Sequence, residues 1–301
     1  MGAPWKKWSS RLPESRQTPG KSVPELPEVE TIVRGLRTAI IGESIRRVEV
    51  LHTDVLRQPK LIFSKRVRLR RIDGIERRGK NVLLLLNEGW LIKVNLGMTG
   101  RLLPFPRPPR GTIRPTHSAV RLRFSSGALL VFDDTRRFGS IEALTSAEWN
   151  ARADLMGPEP LDTHYQVCHL LDGLNRSSSP VRSWLLDQKR IAGVGNIYAN
   201  EALYLARIHP QREARSVTPS EAESLHRSLR SILRDAIDAG GTTIQDYRNA
   251  NGDKGEYAGR LGVYGREGAA CFRCNDEVHR VVFSNRSAFY CPSCQPRWRS
   301  K

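Results

Sequence analysis

Residues 24–40 read PELPEVETIVRGLRTAI, and the rest of the chain is best understood outward from them. Leu26, Val29, Ile32, Val33, Leu36 and Ile40 recur at helical spacing, which predicts an amphipathic helix over 27–40. Pro24 and Pro27 suit a helix start, and Glu25, Glu28 and Glu30 suit its positive end. On the N-terminal side the pattern stops. Residues 1–22, MGAPWKKWSSRLPESRQTPGKS, have no periodicity and many Pro, Gly and Ser. They lack the apolar centre of a secretory signal and the amphipathic helix of a transit peptide, so they read as a disordered tail.

On the C-terminal side, strand-like runs follow at 44–51, 66–72, 82–86, 90–95, 119–124, 128–132 and 140–143. Turn residues such as Asn87-Glu88-Gly89 and Ser125-Ser126-Gly127 separate them, and 104–115 is a Pro-rich loop. Closely spaced strands with short turns predict an antiparallel sandwich or barrel. Gly157-Pro158-Glu159-Pro160 reads as a linker, after which the pattern turns helical at 179–186, 197–206 and 219–239. Residues 241–265, rich in Gly and polar side chains, form a long loop.

The chain has 301 residues and a formal net charge of +18, which favours a polyanionic partner, nucleic acid before an anionic membrane surface. No apolar run approaches the ~20 residues of a membrane-spanning helix. Residues 1–22 carry +4, 23–160 carry +9 and 161–301 carry +5. Arg outnumbers Lys by 39 to 10; phosphate recognition and genomic base composition both account for that bias.

Four of the five cysteines lie near the C-terminus. Cys271-x2-Cys274 and Cys291-x2-Cys294 have the spacing of a tetrathiolate zinc site. Four thiolates leave no open position, so the expected Zn2+ is single and structural. Iron would suit the same ligands but nothing else here suggests redox work, and disulfides do not fit a chain without a signal peptide. Strand character at 277–284 and 288–290 places the site on a β-hairpin. Cys168, beside Val167, Leu170 and Leu171, reads as a buried small hydrophobe.

PELPEVE (24–30), RRGK (77–80), LGMTG (96–100), DDTRRFG (133–139), LMGPEPL (155–161), AGVGNIYANEAL (192–203), the GGTT…VYGR stretch (240–266) and the paired CxxC occur in one order. Together they resemble the bacterial formamidopyrimidine-DNA glycosylase family over essentially 24–294. Leu26 favours this branch over the related endonuclease VIII branch, which usually opens PEGPE and acts on oxidised pyrimidines. The resemblance implies an α+β multidomain fold. Its parts are a catalytic antiparallel β-sandwich with flanking helices (24–155), a linker (156–163), a helix–two-turn–helix domain with a lesion-capping loop (164–265) and a β-hairpin zinc finger (266–301). Residues 1–23 would be a start-site artefact or a disordered tail.

The same resemblance implies a bifunctional base-excision enzyme, a glycosylase and abasic-site lyase acting on 8-oxoguanine and formamidopyrimidines in damaged duplex DNA. It would be a cytoplasmic, nucleoid-associated monomer. Pro24 matches the family's N-terminal nucleophile, Glu25 its acid and Lys80 a phosphate-contacting lysine, with Glu28 lining the same pocket. Met98, Arg136 and Phe138 match the triad that fills the hole left by a flipped base, with Arg137 beside them. Asn196 and Arg286 match phosphate ligands.

Departures from the family pattern are specific. Arg182, a candidate DNA contact, stands where the family often has a lysine tied to damaged-base or phosphate contacts; Arg keeps the charge but not the shape, which leaves lesion preference open. His117 matches a family histidine, but its usual partner two residues on is Ala119. Pro24 is internal as written, and an internal proline nitrogen is an amide that cannot form a Schiff base. Translation from Val23 on a GTG codon, with methionine then removed, would expose Pro24 and leave 278 residues carrying +14. A retained tail predicts a silent DNA-binding zinc protein instead.

Overall fold

A computed structural model of the chain describes residues 23–109, 115–242 and 255–297. Helix α1 (Leu26–Ile40) is followed by β1 (Ile45–Val50), α2 (Lys60–Val67), β2 (Ile72–Arg78), β3 (Asn81–Leu86), β4 (Trp90–Asn95), β5 (Gly100–Phe105), β6 (Ser118–Phe124), β7 (Leu129–Asp134) and β8 (Ser140–Thr145). Two antiparallel four-stranded sheets result, ordered β1-β6-β7-β5 and β2-β3-β4-β8. Their inner faces share one core with α1, built from side chains such as Val82, Leu84, Ile92, Val120, Leu122 and Phe132. The outer face of β3 and β4 is also covered: Leu83, Leu91 and Leu144 pack on Trp149 of α3 (Ser146–Ala153). Burial on both faces explains why β3 reads NVLLLL without alternation.

The second half contains α4 (Val167–Asn175), α5 (Val181–Leu186), α6 (Asn196–Leu205) and α7 (Pro219–Asp238). These helices enclose a second core. Leu26 belongs to it, whereas Val29 to Ile40 belong to the first, so α1 spans both. The chain ends in a hairpin of β9 (His279–Phe283) and β10 (Arg286–Tyr290). Ser284 and Asn285 at its tip both have positive φ, 51° and 56°. That is the two-residue turn whose twist matches paired strands.

Several local expectations need correction. The run 66–72 is not a strand: Arg66 and Val67 end α2, and β2 starts at Ile72. Alternation alone missed α2 because its apolar residues are split between core and solvent, with Phe63 buried and Leu61 83% exposed. The Pro-rich loop starts later than 104, since Pro104 and Phe105 close β5 on the edge of its sheet, where a missing N–H costs no ladder bond. Helices α3 and α4 were not anticipated. Cys168 is exposed, not buried, because α4 turns Leu170 and Leu174 inward instead. The expected tail 1–22, the centre of the 241–265 loop and residues 298–301 lie outside the described residues. Among the described residues no helix is long and apolar enough to cross a membrane.

Candidate active site

Pro24 and Glu25 are buried where α1 begins, against the second half of the molecule. The Leu26 amide donates to the Gly193 carbonyl at 3.0 Å. The Glu25 carboxylate accepts from the Ile197 amide at 2.9 Å and the Tyr198 amide at 3.4 Å. Glu25 therefore caps α6, whose first amides have no partner within their own helix. The glycines of Gly193-Val194-Gly195 make this approach possible. A Cβ on Gly195 would lie 2.2 Å from the Glu25 carboxyl carbon, and Gly193 has φ +83° with Leu26 pressed against it.

Burial pushes the Glu25 carboxyl up to about 7; Lys80 opposes the rise, and Glu28 adds to it. Burial also raises Glu28, although its carboxylate is well supplied with donors. It accepts from the Tyr198 hydroxyl at 2.6 Å, the Thr242 amide at 2.7 Å and the Glu25 amide at 2.8 Å. Thr242 and Glu256 bridge at the base of the 241–265 loop, so Glu28 and Tyr198 hold the point from which that loop springs. On the far side, Glu201 of α6 accepts from the amides of Gly262, Val263 and Tyr264.

Lys80 occupies the turn between β2 and β3 and faces Glu25, Glu28 and Arg286 electrostatically; burial lowers its pKa, and Glu25 raises it. The turn is fixed by Glu159 of the linker. Glu159 binds Arg77 at 2.7 Å, Arg78 at 3.2 Å and the Gly79 amide at 2.6 Å. Gly79 has φ +58°, a left-handed conformation that side-chain-bearing residues rarely adopt.

The finger hairpin docks on the start of α6. The Arg182 guanidinium is fully buried and donates through Nη2 to the Asn196 Oδ1 and, at 2.7 Å, to the Ser287 carbonyl. Asn196 also donates to Ser287 at 3.1 Å, and Asn200 accepts from the Phe289 amide at 2.9 Å. The Arg182 guanidinium stacks 4.9 Å from the Phe283 ring, and burial lowers its pKa to about 10. Arg286 is exposed at the hairpin tip, close enough to Arg182 and Lys80 to lower both.

Met98, Arg136 and Phe138 come together from two loops. Arg136 Nη1 lies 3.3 Å from the Met98 sulfur, and its guanidinium sits 4.4 Å from the Phe138 ring. Phe138 is 55% exposed. Buried Asp134 joins the loops by accepting from Thr99, the Arg136 amide and the Gly139 amide. Arg137, at φ +56°, is turned the other way and pairs with Asp54 at 3.0 Å and His52 at 3.2 Å. His117 is exposed, and its amide donates to Asp133 at 2.8 Å.

The four sulfurs of Cys271, Cys274, Cys291 and Cys294 lie within 4.8 Å of one another, with Cys271–Cys294 at 3.8 Å and Cys274–Cys291 at 3.4 Å. Tetrahedral ligands at ~2.3 Å from a metal stand about 3.8 Å apart, so the cluster is shaped to hold one ion. The amides of Arg273 and Cys294 point at the sulfurs of Cys271 and Cys291, each at 3.4 Å.

Residues 23–141 match the family model described as formamidopyrimidine-DNA glycosylase N-terminal domain, and residues 156–248 match that of the formamidopyrimidine-DNA glycosylase H2TH domain. The chain belongs to the formamidopyrimidine-DNA glycosylase family. A formamidopyrimidine-DNA glycosylase of Roseobacter denitrificans is 38% identical over 283 residues, covering 91% of this chain and 100% of the relative. One from Chloroflexus aggregans is 39% identical, covering 91% and 98%. The crystal structure of the Thermus thermophilus MutM (Fpg) protein superposes with a TM-score of 0.81 at 38% identity, covering 92% of this chain and all of that one. The Lactococcus lactis Fpg in complex with DNA containing an abasic site gives a TM-score of 0.84 at 30% identity, covering 90% and 99%.

Pro24, Glu25, Lys80, Met98, His117 and Arg136 to Phe138 fall in the first family segment, and Arg182 and Asn196 in the second. The four cysteines lie beyond both. The geometry adds Tyr198, Thr242, Asn200 and Asp134 to the candidate site through their hydrogen bonds. All four lie within the ordered motifs, but each acts through a partner distant in sequence or in a neighbouring loop, which the motifs alone do not reveal.

Proposed function

We propose that this chain is a bifunctional DNA glycosylase and abasic-site lyase that excises oxidised purines during base excision repair. One observation carries the reading: Glu25, held near neutral pKa by burial, adjoins Pro24 at a buried junction with the α6 N-terminus and Lys80. With Pro24 as the amino terminus, its secondary amine attacks the sugar C1′ and the base leaves with the bonding electrons. Glu25, protonated, gives its proton to the opening sugar ring oxygen. The nitrogen's own proton passes to the departing base, and the iminium that forms as the ring C–O bond breaks acidifies C2′. Loss of that proton expels the 3′ phosphate, and a second elimination expels the 5′ phosphate.

Extrusion of the base leaves a hole that Met98, Arg136 and Phe138 are placed to fill, Arg136 facing the orphaned cytosine. Lys80, Asn196 and Arg286 receive phosphates around the lesion, helped by the positive end of α6; His117 and Arg137 extend this contact surface. Arg182 serves mainly to seat the finger. The cysteines hold one structural Zn2+, which fixes the hairpin that presents Arg286.

Borohydride trapping tests the reading. Protein beginning at Pro24 is expected to form a covalent complex with 8-oxoguanine or abasic duplex DNA, and protein beginning at Met1 is not. DNA binding by both forms with trapping by neither would leave the silent DNA-binding reading standing. Intact mass from the native host then tells which terminus the cell uses.

A further inference from the structure

At the far end of the sandwich, β1, α2 and the β6–β7 turn surround an open cleft of about 890 Å³. Arg46, Arg47, Arg68 and Arg123 line it together with Ser64, over a floor that includes Phe124. Glu49 pairs with Arg47 at 3.4 Å and with Arg123 at 2.6 Å. Arg46 and Arg68 have no carboxylate within ion-pair distance among the described residues, and both are exposed. Four guanidiniums set against one carboxylate leave the cleft with three positive charges. Such a concentration disfavours the folded state by self-repulsion and is relieved by a bound anion.

The cleft is separate from the site described above. His117 and Asp134 lie at one end of β6 and β7, and Phe124 and Gly127 at the other. Six strand steps from Ser118 to Phe124 span about 20 Å at ~3.4 Å per residue. Guanidiniums suit phosphate oxygens because their donors match the oxyanion in pairs. The cleft is only partly enclosed, and so suits a backbone lying along it better than a small ligand buried on all sides.

We propose that this arginine cleft is a second phosphate-binding seat, filled by the backbone of a nucleic-acid segment other than the one in the active site. One protein then touches two duplexes at once and can pass between them without full release.

The test uses two short undamaged duplexes carrying a donor and an acceptor fluorophore. The Pro24-start protein is expected to bring them together, giving energy transfer that falls again when protein is in excess. The double variant Arg46→Ala/Arg68→Ala is expected to lose the transfer while keeping single-turnover incision of a lesion duplex. The slope of log affinity against log salt for the second duplex should fall by about 2, roughly 1 per arginine removed. Neither variant position carries core packing, and unchanged circular dichroism confirms the fold. Undiminished energy transfer in the double variant overturns the proposal. Fluorescence competition with tripolyphosphate separates the sources. Tripolyphosphate binding that the variant loses, with bridging unchanged, overturns a nucleic-acid occupant in favour of a free phosphate. Bridging needs no catalysis, so an inactive protein would leave this test intact.

Discussion

The carboxylate of Glu25 and the α-carbon of Gly195 are packed so closely that no side chain fits between them: a Cβ at 195 would stand 2.2 Å from the Glu25 carboxyl carbon. The proposed acid of one half is thus positioned by a glycine of the other. Gly195→Ala is expected to push Glu25 off the α6 amides and slow base excision by about 100-fold or more, the usual worth of a positioned acid. Single-turnover excision kinetics measure it. Binding of undamaged DNA should change little.

The ionisation of Glu25 sets a pH limit. Its carboxyl titrates at about 7, and the protonated form is the one that donates. As pH rises through that value the competent fraction falls. The Pro24 amine, which must be neutral to attack, gains in the same direction, so the excision rate should be bell-shaped in pH. Lys80 lowers the Glu25 pKa, so Lys80→Met should move the descending limb to higher pH while reducing the rate. A limb that stays put assigns it to another group.

Tyr198 ties the proposed catalytic end to the loop base through 2.6 Å to Glu28 and 2.9 Å to Thr242. Tyr198→Phe leaves the buried Glu28 one donor short, at a cost of about 1–3 kcal/mol. Thermal denaturation should register the loss. Limited proteolysis should show faster cleavage within 243–254.

The finger is expected to depend on an ion held by its four cysteines, because a two-stranded hairpin of this size is marginal alone. Cys274→Ser is expected to lose bound zinc, measured by elemental analysis, and to lose lesion-DNA affinity. The sandwich should remain folded by circular dichroism. Incision by this variant equal to that of the parent protein would falsify the finger's role.

The helix over 27–40, the apolar strands β3 and β4 and the cysteine cluster were legible because each is written in local spacing. Helical period, strand length and the spacing inside each CxxC pair all act within a few residues of one another. The resemblance of ordered motifs supplied the fold class. Helix α2 escaped because exposed Leu61 and Ile62 blur its face, and Arg66 to Ile72 imitate a strand.

Sequence alone determined which residue types were present for the chemistry: a proline beside a glutamate, a glycine-rich turn, two CxxC pairs. Tertiary structure decided how they act on one another. Glu25 caps a helix that starts 171 residues later, its bond to Ile197 spanning 172 positions. Asp134 links two loops, and Arg182, expected to contact DNA, is sunk beneath the finger hairpin instead. Such contacts follow from how two cores meet across α1, and burial at that junction is what raises Glu25 to a useful pKa. Periodicity records which face a residue presents; only packing determines what it meets there.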